Sequence, residues 1–113
     1  MSTHHEATFK GHPAVAADVR AWVSSHTDHP DAPTVANELF VAILSAGADA
    51  IDVTLFTVGG RLHITSTGAD RLPLRHSHGP GWRIVEGLSR STGVTTDERG
   101  LWAHMGRRCT PVS

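Results

Sequence analysis

Cysteine is nearly absent from this chain: Cys109 stands alone among 113 residues, so no internal disulfide can form. A single thiol fits a reducing compartment, and the expectation is a cytoplasmic protein with an exposed thiol in its tail. Long apolar runs are missing as well, and the longest falls well short of a membrane span, so no membrane partner is expected. The opening residues MSTHHEATF lack the apolar segment of a secretory signal. Charge of one sign is also lacking. Ten Lys and Arg stand against eleven Asp and Glu, and the basic residues are scattered until Arg107–Arg108. That distribution is not the electrostatic footprint of a nucleic-acid binder.

What is present fits an ordinary soluble domain: 39% hydrophobic and 19% charged residues, enough for one core of modest size. Residues 1–7 are polar and read as a disordered tail, residues 8–105 as one domain, and residues 106–113 as a C-terminal tail. Thr8-Phe9-Lys10 reads as a short strand ending at Gly11. Pro13 suits the first turn of a helix along which Val15, Val19, Trp22 and Val23 recur at helical spacing to about Ser25. HTDHPDAP, His26 to Pro33, is dense in turn formers and reads as a loop. A second helix is expected from about Thr34 to Ala46, stopped by Gly47. It is apolar almost all round, which places it between layers rather than on a surface.

Ile51 to Leu55 and Leu62 to Thr65 alternate with period two, and Gly59-Gly60 between them signals a tight hairpin. A loop rich in Gly, Pro and His follows from Thr67 to Pro80. A third helix then runs from Gly81 to about Ser91, burying Trp82, Val85 and Leu88. Gly93 to Thr96 and Leu101 to His104 form a last hairpin. This order predicts an α+β two-layer domain, a mostly antiparallel sheet with about three helices on one face.

The motifs TFKGHPAVAADVRAWV, NELFVAILSAGA, ITSTGA, GPGWRIVEGL and GLWAHM occur in an order that carries a resemblance. Over residues 8–105 the chain resembles the small Bergerat-type ATPase domain shared by histidine kinases, Hsp90-type chaperones and gyrase-type enzymes. It is most similar to the short bacterial anti-sigma-factor serine kinases and their stand-alone actinobacterial relatives. In that family the second helix reads Glu-Leu-x-x-Asn-Ala-x-x-His, with the Glu as base and the Asn holding Mg²⁺. Glu38 matches the Glu, but Ala42 and Ala46 occupy the Asn and His positions. A methyl group cannot ligate a metal that demands good oxygen geometry. Asn37 lies on a different face and cannot substitute.

The resemblance implies an Asp-x-Gly that binds adenine, and here the tripeptide is Ser66-Thr67-Gly68. A charge-assisted hydrogen bond contributes about 1.5–3 kcal/mol against roughly 1 for the neutral bond that serine can make. Gly79-Pro80-Gly81-Trp82 resembles the glycine-rich end of the phosphate lid, although Pro80 removes an N–H donor. The changes remove about 3–6 kcal/mol together on the scale of charged hydrogen bonds. Each 1.4 kcal/mol is about tenfold, so micromolar ATP binding would become millimolar or weaker.

The degenerate nucleotide pocket therefore comprises Ser66, Gly68, Gly79 and Gly81, with Glu38 as a vestigial base. Three readings of Glu38 stay open: a working base, a protein contact, or a first-turn charge on its own helix dipole. The glycines also suit plain turn chemistry. His76 and His78, with His26 and His29, match no zinc spacing and read as solvated loop histidines, so no metal site is expected. Trp82 is a candidate to fill the vacated pocket.

The resemblance implies a pseudo-kinase acting by protein–protein interaction, without ATP or Mg²⁺, on a sigma factor, an anti-anti-sigma protein or a second copy of itself. Two alternatives remain. One is an active ATP- and Mg²⁺-dependent serine/threonine kinase, and the other a binding domain for a non-nucleotide ligand.

Overall fold

Alternation of apolar and polar residues decides which side of each strand meets the helices. In the computed structural model, which describes residues 2–72 and 80–106, Ile51, Val53 and Leu55 are buried on one strand. Leu62, Ile64 and Ser66 are buried on the next, and Leu101, Ala103 and Met105 on a third. These positions form one face of a five-stranded sheet. Its strands are β1 (Ser2–Lys10), β2 (Ala50–Val58), β3 (Arg61–Thr67), β4 (Ser91–Val94) and β5 (Gly100–Met105). The spatial order is β1-β2-β3-β5-β4, and all four ladders are antiparallel.

Helices α1 (Ala16–His26), α2 (Ala32–Ser45) and α3 (Pro80–Leu88) form the second layer. A 3₁₀ turn, Pro13–Val15, leads into α1, and the His12 imidazole accepts a hydrogen bond from the Ala14 N–H at its start. Helix α2 is the central member. It buries Val35, Ala36, Leu39, Phe40 and Ile43, and packs against α1, α3 and strands β2, β3 and β5. Full burial of side chains of this size stabilises the fold by about 1.5–3 kcal/mol each. The predicted α+β class, with an antiparallel sheet and three helices, is the observed one.

Gly59 and Gly60 take φ of 58° and 81°, the left-handed pair that a two-residue hairpin between β2 and β3 requires. Gly47, at φ 93°, ends α2 as expected.

Three boundaries differ from the sequence reading. Residues 2–7, expected as a disordered tail, belong to β1, which pairs along its whole length with β2 from Ser2↔Val58 to Lys10↔Ala50. Half-buried His5, Ala7 and Phe9 face the helix layer, where His5 stacks on His26 at 4.2 Å and Phe9 meets Trp22 edge-on. Helix α2 begins at Ala32, inside the expected loop, because Pro33 fits a first turn where no N–H is needed. Helix α3 stops at Leu88, and Ser91 already pairs in β4.

Candidate functional site

The start of α2 decides how Glu38 is held. With the helix beginning at Ala32, no acidic residue lies in its first turn, and Glu38 falls in the second. The dipole of its own helix fades within one turn, so the first-turn reading of this carboxylate is corrected. Instead, Glu38 reaches across to α3: a Cβ placed on Gly81 would collide with its Oε2. The carboxylate therefore rests against the first turn of a nine-residue helix whose N-terminus carries partial positive charge. A larger residue there would push the carboxylate aside. Asn37 points elsewhere, since its Oδ1 accepts a 2.6 Å hydrogen bond from Arg20 Nη1 on α1.

Ser66 and Gly68 come together at the end of β3. Gly68 packs under α2, where an added Cβ would lie 3.2 Å from Ile43 Cγ2 and 3.1 Å from Ala48 Cβ. Ser66 is 0% exposed, and its Oγ has no hydrogen-bond partner among the described residues. An unsatisfied buried hydroxyl costs about 1–3 kcal/mol. A cleft at Gly68, lined also by Ile43, Ala46, Ala48, Asp70, Arg71 and Leu72, has a volume of about 20 Å³. That space suits roughly one water molecule. Ala42 is half-buried against the core, and Ala46 brings only a methyl group to the cleft.

Thus the structure joins Glu38 to Gly81, and places Gly68 with Ala46 in the small cleft. Gly79 lies outside the described residues, as do His76, His78 and Cys109. Trp82 is half-buried against the core cluster. Among the described residues no group of three or more His, Cys, Asp or Glu could hold a metal ion.

Sequence reading missed Asp70 and Arg71 beside the cleft. Arg71 Nε lies 3.6 Å from Glu98 Oε2, an exposed pair of little energetic weight. Their placement follows from residues 68–72 folding back onto the β4–β5 turn, where the Gly68 N–H donates to the Arg99 carbonyl at 3.0 Å and the Leu72 N–H to the Glu98 carbonyl at 2.7 Å. No local pattern announces that contact.

No protein-family model matches the chain, and no curated protein is similar to it. Among the described residues no helix is long and apolar enough to cross a membrane.

Proposed function

We propose that this chain is a small cytoplasmic regulatory protein built on a Bergerat-type ATPase fold, acting by contact with another protein and not by phosphoryl transfer. The observation that carries the reading is Ser66, fully buried and with no hydrogen-bond partner for its hydroxyl among the described residues. At this position the related ATPases present a carboxylate to the purine amino group. Here the residue is a neutral, fully buried serine.

The rest of the pocket supports the same conclusion. Phosphoryl transfer depends on positioned metal ions and on oriented groups around the phosphates. Ala42 offers no oxygen for magnesium, and Glu38 is directed at the N-terminus of α3. The order of helices and strands, with α2 central against the sheet, is compatible with the fold proposed. The partners that the resemblance implies are a sigma factor, an anti-anti-sigma protein or a second copy of this chain.

Calorimetry with ATP and Mg²⁺ tests the nucleotide half of the proposal. The expected result is binding no tighter than about 1 mM, and micromolar affinity would instead establish the active-kinase alternative. The partner half is tested by retention of a purified sigma factor or anti-anti-sigma protein on the immobilised chain. Retention unchanged by ATP is expected, and retention of neither would overturn it.

A further inference from the structure

The helices cover one face of the sheet, and the other carries a concavity that the nucleotide-site reading does not use. Its volume is about 430 Å³, within the roughly 300–1,000 Å³ range of small-ligand sites. Outward positions of three adjacent strands build it: Phe56 and Val58 from β2, Arg61 and His63 from β3, Trp102 and His104 from β5. Ser91 of β4 closes the far side. The register brings them together, since Phe56 pairs with His63, His63 with His104, and Val58 with Arg61.

Two features distinguish this end of the face from the other. Farther along the same strands the outward positions are polar, Thr54 and Asp52 on β2 and Thr65 and Thr67 on β3. Here, by contrast, Phe56 is 42% exposed and Val58 48%. The rings are also fixed in place. Trp102 lies over Gly93, where an added Cβ would stand 2.8 Å from the indole, and its Nε1–H donates to the Val94 carbonyl at 3.3 Å. His63 stacks beside it with ring centres 5.3 Å apart and planes 17° from parallel. The result is a held platform of two flat rings.

Charge selects the occupant. Among the described residues the groove contains Arg61 and two histidines but no carboxylate. We infer that this face binds a small planar aromatic carboxylate, its ring against the His63–Trp102 platform and its anionic group at Arg61. Arginine's planar fork suits a carboxylate, and flat rings prefer offset stacking on other rings. The site lies across the sheet from Glu38 and Ser66, so it stands or falls independently of the nucleotide reading.

Protonation should tighten binding. The His63 imidazole is held below its ordinary value of 6.5 by burial and then by neighbouring His104. Among the described residues the other titratable or charged groups on this face are Arg61 on β3, His4, Glu6 and Lys10 on β1, Asp52 on β2, and Arg90, which lies against Gly106 just past β5, while the outward Ser91 and Gly93 of β4 add none. A bound anion offsets the repulsion between the two imidazolium groups, so binding takes up protons.

The test is nitrogen–proton NMR on the full chain titrated with anthranilate, alongside neutral anthranilamide and non-planar cyclohexanecarboxylate. Saturable shifts confined to Phe56, Arg61, His63, Trp102 and His104 are expected with anthranilate, and much weaker binding with either control. Arg61→Gln, at an exposed position, should weaken anthranilate about tenfold to a hundredfold, while Arg71→Gln leaves it unchanged. Affinity should rise from about pH 7.5 to about pH 5.5, across the histidine range.

Equal binding of anthranilamide, no saturable shift, or an unaffected Arg61→Gln variant would overturn the inference. So would concentration-dependent broadening of these signals without any probe, the mark of a second copy on this face. A tighter response to oligothymidylate than to anthranilate would overturn it too.

Discussion

At the residue scale, two polar side chains between the helices and the sheet carry most of the interest. Ser66 keeps a buried hydroxyl without a partner among the described residues. Replacing it by alanine removes a desolvated polar group at the loss of one small atom. Ser66→Ala should leave stability unchanged or raise it by up to about 1 kcal/mol in chemical denaturation. A clear loss would mean that the hydroxyl is satisfied in solution. Glu38 differs, because its carboxylate rests against Gly81 at the start of α3. Glu38→Gln should cost about 0.3–1 kcal/mol at low ionic strength, and less in high salt, which screens a helix-dipole contact.

At the element scale, β1 and α2 show what local sequence reveals. Helix α2 was legible because its apolar residues recur all round and Gly47 stops it. Its start was not, since the turn formers before Pro33 outweighed the fact that proline fits a helix's first turn. Strand β1 was legible only from Thr8, where Phe9 gives an apolar signal. Its first six residues, Ser2 to Ala7, are strand because β2 offers a full-length edge and α1 offers His26 for His5 to stack on. Those partners lie far off in the chain, so no window of sequence contains them. Deleting residues 2–7 should lower stability by about 2–4 kcal/mol, from several lost ladder bonds of about 0.5–1.5 kcal/mol each. It should also uncover part of the β2 edge and promote association, visible by size-exclusion chromatography.

At the scale of the whole molecule, acid stability tests the open sheet face. Burial and His104 hold His63 below 6.5, so the folded state favours the neutral ring. The unfolded chain then binds the proton first as pH falls. Stability from this group is fully present above 6.5 and is lost as pH drops through the lower folded-state value. Denaturation midpoints across that window should fall with acid, and His63→Gln should flatten the decline. Saturating anthranilate should also flatten it, because a bound anion stabilises the protonated pair in the folded state.

The sequence by itself determined the class and order of elements, the β2–β3 hairpin, the stop of α2 and the alanines at 42 and 46, which carry no metal-ligating atom. Each is written in a period, a turn residue or a side chain too short for the chemistry, and none needs a distant partner to be read. Tertiary structure alone decided that Glu38 serves the start of α3, that Ser66 is sealed without a partner among the described residues, and that Phe56, Arg61, His63 and Trp102 share one groove. Those facts depend on strand register and on helices meeting across the core, relations between residues far apart in the chain that local physics does not encode.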